Sequence, residues 1–406
     1  MNDGWSHDVL GNHVEIVRGL SYTGEGLNGD GLPLHNLDSI REGGGYKRDG
    51  IKFYSGSYRE RHTVRPGDLL VANTEQAHDR LLIGYPALVP DDCGDTGLFS
   101  ADLYRVRPTR SSSLDARFLY YLLRAQEYHS KVSNYANGTT VNHLPPEALQ
   151  RLRIAIPPRS DQEAIANTLS ALEQKTERNT RTNATLDALA QAIFDEAVLG
   201  ATTVTTLAQH LEVTRGLSYA SSGLGAGLPL HNLDSIREGG GYSRAGIKYY
   251  SGEYRERHVA RPGDVLIAMT EQAHERLLIG CPALVPHCFP ETTLFSQDLA
   301  RVRAKPGSPL TSSLIYLLLR SQPLRSKVVA YANGTTVNHL RPVALARPVF
   351  TVPDDATLRA VDDRARPLLA LVEANEDESE DLTALSDALL PLLVSGHLRP
   401  RRGGSN

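Results

Sequence analysis

The sequence predicts a mixed α/β (α+β) chain with a pseudo-two-fold internal repeat: two copies of one globular domain, each followed by a long coiled-coil helix. Three observations predict it. Residues 135–144, YANGTTVNHL, recur unchanged at 331–340, and GLPLHNLDSIREGGGY at 31–46 recurs at 227–242. These pairs stand 196 residues apart, too long a period for a solenoid unit, so a whole domain and its appendage are duplicated. Within each copy, short apolar runs broken by glycines and turns come first, and a heptad pattern follows.

The domain opens at RGLSY, residues 18–22, which pairs with 215–219 one residue out of register. The slip falls between TGEGLNGD and ASSGLGA, a loop that tolerates length change. IKFYSG, GDLLVAN, RLLIGYPALV and LYRVRP read as strands, and SLDARFLYYLLRAQEYHSKV as a helix. RPGD, at 65–68 and 261–264, reads as a turn into a strand, and Asn137-Gly138 as a further turn. RLRIAIPPRS (151–160) and ARPVFTVPDD (346–355) end the two copies, their prolines marking the boundary.

Ser160 or Asp161 can cap a helix that runs to about residue 197. Its seam is Ile165, Leu169, Leu172, Thr176, Asn179, Asn183, Leu186, Ala190 and Ile193, alternating four and three. The second seam is Leu358, Val361, Ala365, Leu368, Val372, Asn375, Ser379, Leu382, Ser386, Leu389 and Leu393. Asn179 and Asn375 are one repeat apart, as are Asn183 and Ser379, so paired helices would set polar residues face to face. A buried Asn costs stability but fixes register. Pro367 predicts a kink or a delayed start to the second helix. The acidic run EANEDESED at 373–381 lies on the second helix and reads as a face turned to water or to a basic partner surface, water being the reading favoured. A spacer of fixed register between two near-identical domains is a ruler.

Composition narrows the function classes. The 406 residues carry 43 Lys and Arg against 47 Asp and Glu, a net charge of −4, so no whole-chain basic balance announces nucleic acid. The basic residues are mostly Arg, whose planar fork suits guanine edges and phosphates. Cys93, Cys281 and Cys288 form no CxxC pair and read as free thiols of a reducing compartment. With no bilayer-length apolar run and no signal peptide, a cytoplasmic location is expected.

No catalytic constellation stands out. GEGLNG at 24–29 fits a dinucleotide fingerprint, but LPLHNLD follows it rather than a helix and the second copy lacks it. Glu173 and Lys175, with Asp161 upstream, could imitate a nuclease cluster; they lie on the predicted helix and read as its solvated face. His35 and His231 lack a second ligand cluster, so no metal site is expected.

The segments kept in both copies carry the side chains that read base edges and hold phosphates. In the first copy the candidates are Arg18, Ser21 and Tyr22; His35, Asn36, Asp38, Ser39 and Arg41; Arg59; Glu75, Gln76, His78 and Arg80; and Asn137, Thr139, Thr140, Asn142 and His143. Their counterparts are Arg215, Ser218 and Tyr219; His231, Asn232, Asp234, Ser235 and Arg237; Arg255; Glu271, Gln272, His274 and Arg276; and Asn333, Thr335, Thr336, Asn338 and His339. TEQAH also suits a loop cap.

In combination these features resemble the DNA-specificity (S) subunit of type I restriction-modification systems. RGLSY, LPLHNLDSIREGG, RPGDLLVA or RPGDVLIA, and GTTVNHL occur in order, and IAIPPRSDQEAIANTLSALEQK follows in the first copy. The second copy has TVPDDATLRAVDD there, without the second Pro or the Gln. The resemblance implies target-recognition domains at 1–158 and 201–354, antiparallel spacer helices at 159–200 and 355–396, and a flexible tail at 397–406. It implies a non-catalytic reader of bipartite double-stranded DNA that binds two modification subunits, which methylate adenine with S-adenosylmethionine. Restriction subunits that use ATP and Mg join in restricting systems; no cofactor is expected in this chain.

Unlike usual family members, this chain has near-equal domains, and equal readers about a two-fold axis predict an interrupted palindrome. Asn73/Met269, Tyr85/Cys281, Ser57/Glu253 and the divergent loops at 91–97 and 287–293 are the places where symmetry would break. Three other readings share these observations: a stand-alone pseudo-dimeric DNA-binding protein, a reader subunit of another phage-defence complex, and a pseudo-dimeric enzyme or ligand-binding protein with twin pockets.

Overall fold

The computed structural model describes residues 4–27, 29–75, 82–138, 141–271, 278–332 and 338–399. The chain folds as two compact units, residues 1–176 with 381–406, and residues 177–380.

In the first unit the order is β1 (Ser6–Val9), β2 (Val14–Arg18), β3 (Leu32–His35), β4 (Lys52–Tyr54), β5 (Thr63–Val64), β6 (Leu69–Ala72), β7 (Thr74–Glu75), β8 (Pro86–Leu88), β9 (Gly97–Phe99) and β10 (Leu103–Pro108). Then come α1 (Ala116–Arg124), α2 (Gln126–Ser133), β11 (Asn142–His143), α3 (Glu147–Gln150) and β12 (Arg153–Ile156), before the long helix α4 (Arg159–Leu199). One antiparallel sheet has the order β2-β10-β6-β8 and another β4-β3-β9-β5, with β3 and β9 parallel. β1 pairs antiparallel with β12, tying the start of the domain to its last strand.

The second unit repeats this order. Its strands are β13 (Thr203–Thr206), β14 (Leu211–Arg215), β15 (Leu224–His231), β16 (Lys248–Tyr250), β17 (Val259–Ala260), β18 (Val265–Ala268), β19 (Thr270–Glu271), β20 (Pro282–Leu284), β21 (Thr293–Phe295), β22 (Leu299–Ala304), β23 (Asn338–His339) and β24 (Val349–Val352). Its helices are α5 (Leu207–His210), α6 (Ser312–Arg320), α7 (Gln322–Val329), α8 (Pro342–Ala346) and the long α9 (Asp355–Val394). The sheets are β14-β22-β18-β20 and β16-β15-β21-β17.

Apolar periodicity drives each long helix onto a core. In the first unit Ile165 and Leu169 of α4 join Leu393 and Val394 of α9 and Phe118, Leu119 and Leu122 of α1. In the second unit Ala190, Ile193 and Phe194 join Leu358, Val361 and Ala365, together with the apolar face of α6. Each such Leu or Ile contributes about 1.5–3 kcal/mol by burial.

Within the second unit the two long helices run antiparallel, because Asn179 bonds to Asn375 and Ser379 while Asn183 bonds to Val372. Asn179, only 3% exposed, donates to the Asn375 carbonyl (3.2 Å), Glu378 (2.9 Å) and Ser379 (3.2 Å). Asn375 donates to Asn183 Oδ1 at 2.8 Å. The seam asparagines therefore face each other, as their spacing predicts.

Three local expectations are corrected. α4 starts at Arg159, so Ser160 and Asp161 lie in its first turn, and Pro158 O accepts from Asp161 N (2.9 Å) and Gln162 N (3.1 Å). α9 starts at Asp355, capped by Asp354 Oδ1 accepting from Thr357 N, and runs through Pro367 without delay. The acidic run is not left to water. Glu376 pairs with Arg237 (2.6 Å), Asp377 (2.5 Å) and Glu380 (2.9 Å) with Arg244, and Glu373 with His287 (2.9 Å).

The α4 entry differs from that of α9. Gln162 is fully buried; its Oε1 accepts from Asp115 N (2.8 Å) and its Nε2 donates to Pro157 O (2.8 Å) and Ser113 O (3.2 Å). In the second unit, where no Gln is available, Thr311 Oγ1 donates to Asp362 (2.7 Å) instead. One junction is thus built from two different residue pairs.

Candidate nucleic-acid interface

Strand register gathers four repeated segments at one end of the β2-β10-β6-β8 sheet. β2 and β6 finish where β10 begins, since Arg18 pairs with Tyr104 and Ala72 with Leu103. Leu20 N then bonds to Phe99 O (2.7 Å), Asn73 N to Asp102 O (2.9 Å) and Leu144 N to Asn73 O (2.8 Å). RGLSY, NTE, SADL and VNHL therefore meet. The approach is close enough to require Gly19: a Cβ there would stand 2.1 Å from Ser100 O. Gly216 repeats this at 2.2 Å from Ser296 O.

Of the candidate readers here, Arg18, Ser21, Asn137 and His143 are exposed and Tyr22 is half-buried against Tyr54. In the second unit Arg215, Ser218 and His339 are exposed and Tyr219 is half-buried against Tyr250. Arg18 Nε donates to Ala101 O (2.9 Å) and Arg215 Nε to Gln297 O (3.2 Å), which orients each guanidinium at the sheet end. Asp38, Arg41, Arg59, Asp234, Arg237 and Arg255 are also exposed.

Other repeated polar residues are buried and hold the loops. Glu75 accepts from Leu82 N (3.1 Å) and Ile83 N (3.2 Å), and Glu271 from Leu278 N and Ile279 N (both 3.0 Å), which is the capping role TEQAH suits. Asn36 Oδ1 accepts from Asp38 N (2.7 Å) and Ser39 Oγ from Asn36 N (3.2 Å); Asn232 and Ser235 repeat the pattern. Asn142 and Asn338 are buried in β11 and β23. Gln76, His78, Arg80, Thr139, Thr140, Gln272, His274, Arg276, Asn333, Thr335 and Thr336 lie outside the described residues.

His35 and His231 are fully buried, each with Nδ1 on a tyrosine hydroxyl, Tyr46 at 2.5 Å and Tyr242 at 2.6 Å. Burial holds His35 down to about 4 and His231 to about 3, so both rings are neutral near pH 7. Among the described residues no group of three or more His, Cys, Asp or Glu is placed to hold a metal. No described helix is long and apolar enough to cross a membrane.

RPGD is a turn in both units: Asp68 Oδ2 accepts from Arg65 N (2.8 Å) and the carboxylate takes the Arg107 fork at 2.8 and 2.5 Å. Glu173 is not a solvated residue as expected. It accepts from Tyr121 OH (2.9 Å) and pairs with Arg124, whose Nε donates to Gly43 O (3.0 Å). Arg320 does the same with Asp187 (2.6 Å) and Gly239 O (3.3 Å). Each pair anchors an IREGG loop to helix α4.

Sequence reasoning passed over exposed aromatics beside basic residues. Phe53 and Tyr58 are 46% and 48% exposed, next to exposed Lys52, Arg59 and Arg61; Tyr249 and Tyr254 repeat them. The signal was present, since YRERH is identical in both copies.

Each unit thus presents an exposed Arg, Ser and His at the end of an equivalent four-stranded sheet, Arg18, Ser21 and His143 in the first and Arg215, Ser218 and His339 in the second, and each packs against parts of both long helices. Residues 66–188 match the family described as Type I restriction modification DNA specificity domain. The type I restriction enzyme EcoKI specificity subunit of Escherichia coli K12 is 23% identical over 331 residues, covering 74% of this chain and 68% of its own. The StySPI specificity subunit of Salmonella potsdam is 25% identical over 239 residues, 55% of this chain and 48% of its own. In fold, the chain is similar to a type I restriction-modification S subunit from M. genitalium, with TM-score 0.62, 14% identity and 97% of each chain covered. In sequence, family model and fold, this chain is thus similar to type I DNA-specificity subunits.

Proposed function

We propose that the chain is the non-catalytic DNA-recognition subunit of a type I restriction-modification complex. It reads a bipartite, near-palindromic site in double-stranded DNA and directs adenine methylation, and restriction where those subunits are present. The observation that carries this reading is the duplicated sheet end. Arg18, Asn137 and His143 in one unit, and Arg215 and His339 in the other, offer forks and hydrogen-bonding groups suited to base edges and phosphates.

The target-recognition domains are residues 1–158 and 201–354, and the spacer helices 159–200 and 355–396. The seam locked by Asn179, Asn183 and Asn375 supports a fixed distance between half-sites. Two modification subunits carry S-adenosylmethionine, and restriction subunits carry ATP and Mg, all in the cytoplasm. Those partners supply much of the phosphate contact, consistent with a chain of net charge −4.

Reconstitution tests this. The chain is mixed with the host's modification subunits, S-adenosylmethionine and plasmid DNA. Methylation of one bipartite motif only when all components are present is the expected result. Salt-dependent, sequence-specific binding by the chain alone, with no effect on methylation, would replace this reading with the stand-alone DNA-binding protein.

A further inference from the structure

At the sheet end the two units share almost every residue but differ in the turn before the last long strand. The turn is Ser100-Ala101-Asp102-Leu103 in the first unit and Ser296-Gln297-Asp298-Leu299 in the second. Its main chain is pinned alike in both. Leu103 N bonds to Ser100 O (3.0 Å) and Leu299 N to Ser296 O (2.9 Å). Ala101 N bonds to Leu20 O (2.9 Å) and Gln297 N to Leu217 O (2.8 Å). The carbonyl of the same residue is held by Arg18 or Arg215.

Beneath the turn the differences serve packing. Asn73 donates to Ala101 O (3.1 Å) and accepts from Thr74 Oγ1 (2.8 Å), and Tyr104 OH donates to Leu144 O (2.8 Å). In the second unit Met269 and Ala300 stand in these places within one apolar cluster, and Thr270 Oγ1 donates to Asp298 (3.0 Å). A smaller residue at one position is matched by a larger apolar one at the other. Above the turn no packing demand explains the change, because Gln297 is exposed whereas Ala101 is half-buried.

Resting on the reading of the chain as a bipartite DNA reader, we infer that Gln297 is a base-reading residue of the second domain with no equivalent in the first. A glutamine amide offers a donor and an acceptor in the spacing of adenine N6 and N7; the alanine methyl offers neither. The recognised site therefore departs from an inverted repeat at one position, where adenine is specified in the second half-site and unspecified in the first.

The test uses the complete complex with modification subunits, carrying Gln297→Ala, Gln297→Glu or Ala101→Gln, and measures methylation of duplexes varied base by base through both half-sites. Folding is not at issue for Gln297→Ala, since the first copy already has Ala there. Wild type is expected to prefer adenine at one position of one half-site by roughly tenfold or more. Gln297→Ala removes that preference, Gln297→Glu moves it to cytosine, and Ala101→Gln creates it in the other half. A bipartite site left unchanged by all three variants would overturn the assignment of Gln297 while leaving the DNA-reader function intact. Wild type that supports no motif-specific methylation would overturn both.

Discussion

The side-chain amide of Asn179 donates to the main-chain carbonyl of Asn375, its own counterpart one repeat later, at 3.2 Å. The helix pair is therefore in register at a point where the repeat meets itself. Asn179→Ala removes a buried donor shared by the Asn375 carbonyl, Glu378 and Ser379; Ser379 Oγ still donates to that carbonyl, so the expected cost is about 0.5–1.5 kcal/mol. Urea unfolding of the whole chain measures this, and a change below a few tenths of a kcal/mol would show that the seam asparagine is not structural.

Arg124 with Glu173 and Arg320 with Asp187 fasten equivalent loops to α4. These guanidiniums also stack on Tyr120 and Tyr316, at 5.2 and 5.1 Å from the ring centres. Glu173→Leu and Asp187→Leu each strand a largely buried Arg and are expected to destabilise by about 2–4 kcal/mol. Thermal unfolding of the single and double variants checks this; sites in separate units should add.

Arg244, 13% exposed, sits between Asp377 and Glu380, whereas its counterpart Arg48 is 42% exposed and pairs with Asp92. Arg244→Met is expected to destabilise by about 2 kcal/mol and Arg48→Met by under about 1 kcal/mol. Denaturant titrations of the two variants at equal ionic strength compare them directly.

Stability should fall in mild acid. The unfolded histidine value near 6.5 exceeds the folded values of about 4 for His35 and about 3 for His231. Below 6.5 the unfolded chain binds protons that the folded chain refuses, so their contribution is complete above 6.5 and is lost progressively toward the folded values. The urea midpoint should drop between about pH 7.5 and about pH 5, and the drop should shrink in the double variant His35→Phe with His231→Phe.

The repeat, the paired helices and the seam asparagines were legible because duplication and heptad spacing are periodic, and periodic patterns survive without knowledge of the fold. Repeated identity was a poorer guide to exposure. His35, Asn36, Ser39 and Glu75 are kept in both copies, yet each is buried and satisfies its own loop. Such long-range partners depend on which strands lie side by side, and spacing along the chain does not encode that. For the same reason Glu173 and the acidic run of α9 read as solvated, while their arginine partners lie 49 and more than 130 residues away. Pro367 does not delay α9, because Val361, Ala365 and Leu369 pack into the core on either side of it and the helix runs on from Asp355.

The most direct measurement is genome-wide N6-methyladenine mapping in the native host with the gene present and deleted. Loss of one bipartite, near-palindromic motif on deletion is the predicted result. An unchanged set of methylated motifs would contradict the proposal that this chain directs methylation.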